Sequence, residues 1–280
     1  MPGPNMTDNF GSPTCCDDDD SWQACLGSGV GGNDMTSSPV AFAGQTAVVT
    51  GASSGLGRTL ATAFAAAGAN VALIGRKVEA LETAAAMVRR LGVKASTYVS
   101  DLSDDGSIRA LVERLAQELP SVDILAHAAG VIARATIASA RVEDLDRQYA
   151  TNLRAPYVLT QALLPRLRHD HGQIVLLNST AGLRAIATLG QYAATKHALR
   201  ALADSLRDEV NGDGVRVLSV FVGSTATPMQ AALHAEADQP YAPERLLQPG
   251  DVAAIIVSAL SLPRTAEVTE LSIRPMLKPL

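Results

Sequence analysis

From Thr46 onward, short runs rich in β-branched residues alternate with longer segments of helical period, and this alternation limits the possible folds more than any other feature of the chain. Thr46 to Thr50, Val71 to Ile74 and Val93 to Val99 read as strands, with helices from Leu56 and over Val78 to Leu91 between them. The pattern continues through a helix over Ile108 to Leu119, a strand at Asp123 to His127, a long helix from Val142 to about Arg168, and a strand at Gln173 to Asn178. A helix over 191–210, strand Val215 to Val222, helix Pro249 to Leu262 and strand Val268 to Ile273 complete it. Strands separated by helices predict an α/β domain with a doubly wound sheet of about seven parallel strands and helices on both faces. Ligands of such sheets bind beyond the carboxyl ends of the strands, and Gly51, Arg76, Asp101, His127, Ser179 and Gly223 all fall there.

The first 40 residues have a different character. They hold six aspartates and no lysine or arginine, so of the net charge of −5 they carry −6 and the remainder +1. Glycine, proline, serine and aspartate dominate, with too little apolar surface to offset the entropy of ordering, which predicts a disordered extension over 1–43 preceding a domain at 44–280. Met35 lies shortly before the first strand and is the expected biological start. All three cysteines, Cys15, Cys16 and Cys25, sit in this extension; the odd count, the adjacent pair and the lack of a histidine nearby suit free thiols in a reducing cytosol rather than a zinc site. No basic segment followed by an apolar one marks a secretory signal, and no stretch of eighteen residues is purely apolar, so a cytoplasmic protein without a membrane span is expected. The nearly neutral body with scattered arginines argues against nucleic acid as a partner.

Two motifs point to chemistry. The first is Thr50-Gly51-Ala52-Ser53-Ser54-Gly55-Leu56-Gly57, between the first strand and the first helix. Glycines at 51, 55 and 57 let a backbone approach a pyrophosphate, and free amides at a helix N-terminus favour its charge. Their G-x-x-x-G-x-G spacing differs from the G-x-G-x-x-G fingerprint; the strand before and the helix after give it weight. The second is Tyr192 with Lys196, one helical turn apart and on one face, thirteen residues after Ser179. A free phenol has a pKa of about 10, too high to exchange protons readily near neutrality. A unit charge about 4 Å away at an effective dielectric near 20 is worth about 4 kcal/mol, roughly a thousandfold in acidity, so Lys196 is expected to make Tyr192 more acidic. After the second strand, where NAD enzymes carry an acidic residue for the ribose 2′-hydroxyl, stands Gly75-Arg76-Lys77. An arginine suits a 2′-phosphate, so NADP(H) is the expected cofactor, with NAD(H) possible; the competing reading is a solvated basic pair opening a helix.

In their order and spacing these residues resemble the short-chain dehydrogenase/reductase family over about 44–275, matching its T-G-x-x-x-G-x-G turn, its N-A-A-G-like strand end, its catalytic serine and its Y-x-x-x-K pair. The resemblance implies a Rossmann-type fold and an oxidoreductase that interconverts a carbonyl and a secondary or primary alcohol by hydride transfer. It implies Tyr192 as acid/base, Lys196 also holding the nicotinamide ribose, Ser179 hydrogen-bonding the carbonyl, and Asn152 kinking the long helix and holding a water that links the lysine to solvent. The cofactor set is then Gly51, Ser53, Ser54, Gly55, Leu56, Gly57, Arg76, Asp101, Leu102, His127, Ala129, Gly130, Tyr192, Lys196, Gly223 and Thr227, with no metal. Asp101 and Leu102 take the place of an adenine-contacting pair, with an N-cap as the alternative role for Asp101. The chain departs from the pattern at His127, where an asparagine that braces the strand end is usual, and at Val222, where a proline commonly precedes Gly223.

Ala181 to Leu189 and the segment from Met229 to about Leu247 are expected to form a pocket wall and a lid for a small-molecule carbonyl or alcohol substrate. Arg184 and His234 are candidates for recognising a carboxylate. The ending Arg274-Pro275-Met276 lacks the Gly-Gly of many 3-oxoacyl carrier reductases of the family. An NAD-dependent alcohol dehydrogenase and a non-catalytic NADP(H) sensor stay open as alternatives. The helices at 142–168 and 191–210 resemble the family's dimer-forming pair, which implies a homodimer or homotetramer.

Overall fold

The computed structural model describes residues 41–277, so the expected disorder, the cysteines and Met35 lie outside the described residues. Seven parallel strands form one sheet in the order β3-β2-β1-β4-β5-β6-β7. They are β1 (Thr46–Thr50), β2 (Asn70–Gly75), β3 (Ala95–Val99), β4 (Ile124–His127), β5 (Gln173–Ser179), β6 (Arg216–Val222) and β7 (Glu270–Ile273). The order reverses between β1 and β4, which opens a crevice at their carboxyl ends. The helices are α1 (Gly55–Ala66), α2 (Val78–Arg89), α3 (Asp105–Glu118), α4 (Val142–Tyr149), α5 (Ala155–His169), α6 (Gly190–Val210), α7 (Pro228–Glu236) and α8 (Pro249–Leu260).

Alternation along β1 shows how the sheet is covered. Ala47 and Val49 join one core with Leu60 and Phe64 of α1, Leu81 of α2 and Ile256 of α8. Val48 points the other way, into a core with Leu111 of α3, Leu159 of α5 and Leu199 of α6. Both faces are dry, so every residue of β1 is buried, as expected for a central parallel strand.

Two elements differ from the sequence expectation. The long helix from Val142 is not uniform: α4 passes into a five-residue π turn at Ala150–Arg154 before α5 begins. Pro156 accounts for the break, since it has no N–H to offer the carbonyl of Asn152 four residues back, and the backbone takes a wider turn. The expected lid is partly ordered as α7, whose first turn is capped by Thr227 Oγ1 accepting from the amide of Gln230 at 3.3 Å, with Pro228 next to the cap.

Candidate active site

The β1–α1 turn is built around contacts that only glycine allows. Gly51 has φ +67°, and a Cβ there would lie 2.8 Å from the Cα of Ala129. A Cβ on Gly57 would lie 2.3 Å from the carbonyl oxygen of Gly51. Ser54 at the N-cap of α1 makes no side-chain cap bond, and the first turn carries no acidic residue, so its amides are left facing open space. That space is a cleft of about 1090 Å³, solvent included, walled by Gly51, Ser53, Ser54, Gly55, Leu56 and Gly57 on the turn side. Arg76, Asp101 and Leu102 line it beyond β2 and β3, and Ala129, Gly130, Tyr192, Lys196 and Thr227 beyond the crevice.

Arg76 is exposed at the cleft, and its charge helps to hold the Asp101 carboxyl below its ordinary range, after the amide of Ser103, which donates to Asp101 Oδ1 at 2.9 Å. Asp101 does not cap α3; Asp104 does, accepting from the Ser107 amide at 2.7 Å.

His127, expected among the cofactor residues or as a brace for the strand end, does neither. It is 2 % exposed, its Nε2 shares a hydrogen bond with Thr160 Oγ1 of α5 at 2.9 Å, and it lies outside the cleft wall. Burial pushes its imidazole down to about 3, so the ring is neutral. The brace is Thr50, whose hydroxyl accepts from the amides of Ala128 and Ala129, each at 3.0 Å. Gly223 also turns inward. Its amide donates to the carbonyl of Ile273 at 2.8 Å, its carbonyl accepts from Thr225 Oγ1, and a Cβ would meet Pro275 at 3.0 Å, so close packing explains this glycine.

The catalytic candidates come together from three elements. Ser179 ends β5, and its Oγ accepts from the Ala181 amide at 3.1 Å. Lys196 is buried on α6 and donates from Nζ to the carbonyl of Leu177 at 2.8 Å, which leaves Nζ 5.8 Å from the centre of the Tyr192 ring. Burial pushes its ammonium down to about 8. Tyr192 is held above its ordinary value by burial, opposed by a hydrogen bond from the Ser179 side chain. The expectation that Lys196 lowers the phenol is not met here, because the ammonium is directed at Leu177 and packing dominates. Asn152 is 1 % exposed in the π turn. Its Oδ1 accepts from the Val131 amide at 2.8 Å, and its Nδ2 donates to the Val131 carbonyl and to Thr195 Oγ1. Both amide protons are thus spent on positioning the segment after β4 against α6.

Of the substrate-side candidates, Arg184 is exposed, whereas His234 is buried and bonded through Nδ1 to the carbonyl of Pro240 at 2.7 Å. Asn178 was not anticipated. Its Oδ1 accepts from Ser179 N and its Nδ2 donates to the carbonyl of Lys196, tying the serine to the lysine. A Cβ on Gly182 would lie 2.4 Å from Asn178 Oδ1; this glycine in Ser179-Thr180-Ala181-Gly182 was the available signal. Among the described residues no three metal-ligating side chains cluster, and no helix is long and apolar enough to cross a membrane.

A doubly wound sheet with a glycine turn at its crevice and a Ser-Tyr-Lys group across it defines a nucleotide-binding oxidoreductase class. The short chain dehydrogenase family model matches residues 45–238, and the chain belongs to that family of oxidoreductases. It is 35% identical over 244 residues to glycine betaine reductase ATRR of Emericella nidulans, covering 85% of this chain but 19% of that much longer relative. An alcohol dehydrogenase from the archaeon Thermococcus sibiricus, solved with 5-hydroxy-NADP, superposes with a TM-score of 0.76 at 28% identity, over 84% of this chain and 99% of its own. A metagenomic short-chain oxidoreductase solved with NADP gives 0.73 at 29% identity, over 85% and 100%.

Proposed function

We propose that this chain transfers hydride between NADP(H) and a small carbonyl or alcohol, with Tyr192 as the acid/base. The observation that carries this reading is that Tyr192 and Lys196 line the same cleft as the glycine turn and Arg76. The cleft fits a dinucleotide: the glycine turn and the uncapped amides of α1 would hold a pyrophosphate, Arg76 a 2′-phosphate, Asp101 and Leu102 the adenine end, and Lys196 the nicotinamide ribose. When bound, the cofactor gives hydride to the carbonyl carbon or takes it from the alcohol carbon. In reduction, Tyr192 Oη gives its proton to the substrate oxygen while Ser179 Oγ supports the charge developing there. The resulting phenolate is steadied by the Ser179 hydrogen bond and by the buried ammonium of Lys196, and is reprotonated from solvent. Oxidation reverses each step.

NADP(H) preference rests on Arg76 at the cleft and on the NADP compounds held by the two structural neighbours. Self-association as a dimer or tetramer is supported by the apolar groove between α5 and α6, lined by Tyr157, Leu164, Leu202 and Leu206, and light scattering reads it; a strict monomer would reject it.

The decisive experiment follows cofactor absorbance at 340 nm with NADPH and NADH in parallel against aldehydes, ketones and oxo acids. NADPH-dependent turnover is expected, reduced about 10²–10⁴-fold in Tyr192→Phe with NADPH binding kept. Unchanged activity in that variant would reject Tyr192 as proton donor, and binding without turnover on any substrate would favour a sensor.

A further inference from the structure

The segment leaving β4 is held at every second residue. Val131 N donates to Asn152 Oδ1 at 2.8 Å, Ala133 N to Gln148 Oε1 at 3.1 Å, and Ala135 N to the carbonyl of Thr188 at 3.0 Å. Thr188 adopts φ +67°, which a β-branched residue rarely does, to present that carbonyl. Gln148 and Asn152 lie four residues apart on α4 and its π turn, and each reaches α6 as well. Gln148 Nε2 donates to Gln191 Oε1 at 3.2 Å, and Asn152 Nδ2 to Thr195 Oγ1 at 3.2 Å. Gln191 and Thr195 are again four apart, and Tyr192 sits between them.

From this ladder we infer that Gln148 is a positioning residue for Tyr192, an inference that rests on the hydride-transfer reading. Its side chain is 0% exposed, and all three of its hydrogen-bonding sites that matter here are filled: Oε1 by Ala133, and Nε2 by Gln191 and by the carbonyl of Asp144 at 3.0 Å. A buried amide is tolerated only when so satisfied, which makes its geometry rigid. Gln191 in turn donates from Nε2 to the carbonyl of Arg141 at 2.9 Å, so the residue next to Tyr192 is anchored to the start of α4. The upper rung of the ladder thus sets the first turn of α6, which carries the phenol, against the cleft wall at Val131. Asn152 alone holds the lower rung, one turn further along.

The test compares wild type, Gln148→Met and Gln191→Met, the second keeping the buried amide in place should the first fold poorly. Three readouts are taken: kcat and KM on the best substrate of the panel, NADPH affinity by fluorescence, and hydrogen exchange over 131–135 and 190–195. A fall in kcat of about 10- to 100-fold is expected in Gln148→Met, the loss a small misplacement of a reacting group produces, with NADPH affinity held within about threefold. Exchange at Ala133 should quicken in Gln148→Met, and the first turn of α6 should exchange faster in both variants. Unchanged kcat with unchanged exchange would overturn the inference, as would a loss of NADPH affinity matching the loss of activity, which would mark a general structural role. If wild type turns over nothing, the hydride-transfer reading fails by itself, and the exchange data still decide whether Gln148 fixes the α6 turn.

Discussion

The ends of β1 to β3 and the ends of β4 to β6 use their polar groups differently. Beyond β1 to β3, the N-terminal amides of α1 are uncapped by Ser54, Arg76 is exposed, and Asp101 lines the cleft. Beyond β4 to β6, His127 is bonded to Thr160, Asn178 to Ser179 and Lys196, and Gly223 to Ile273 and Thr225. One half of the crevice keeps donors and charge available for a ligand. The other spends them on holding Ser179, Tyr192 and Lys196 in place. Binding needs unsatisfied groups at an open surface, whereas proton transfer needs groups fixed to within a fraction of an ångström, and a satisfied buried bond is what fixes them.

The sharpest way to break the open half is Gly57→Ala. The new methyl would meet the carbonyl of Gly51 at 2.3 Å, backbone against backbone, so the turn itself must shift. The variant should lose about 1–3 kcal/mol of stability and most of its NADPH affinity, read by thermal melting and a fluorescence titration. A variant that melts and binds like its parent would remove the turn from the binding site.

Arg76→Ser should act more narrowly. A charge-assisted hydrogen bond is worth about 1.5–3 kcal/mol, so kcat/KM for NADPH should fall about 10- to 100-fold while that for NADH moves only a few-fold. Equal losses with the two cofactors would mean that Arg76 does not read the 2′-phosphate.

His127→Asn probes the closed half and has the smallest effect at neutral pH. The buried ring stays neutral down to about 3, while in the unfolded chain it takes a proton below its ordinary 6.5. Its folded value being depressed, the unfolded state binds more protons between those limits, so stability falls as pH drops through them, by up to about 1.4 kcal/mol per pH unit. Denaturant melts from pH 7 to pH 4 should show a shallower decline in His127→Asn than in wild type. Parallel curves would show that His127 is not the group responsible.

The strand and helix alternation and the cofactor-side residues were legible in the sequence, since period and glycine placement are local properties. The closed half was less so. Nothing local to His127 says that its ring turns to α5 rather than to the cleft, because that depends on Thr160, thirty-three positions away. The phenol of Tyr192 could not be read from its spacing to Lys196, because the lysine's partner is a carbonyl on β5. α7 was announced by Thr227-Pro228, a cap followed by a first-turn proline, but the expectation of a lid obscured it.

The π turn at Ala150–Arg154 gives the gene an unusual point of fragility. A π turn holds one residue more than an α-helix would need for the same advance. Loss of a single in-frame codon there would leave a continuous helix that still looks well formed, yet would rotate α5 by about 100° relative to α4. Leu159, Leu163 and Leu167 would swing off the sheet, so a deletion that spares every catalytic residue would be less tolerable than many of their substitutions.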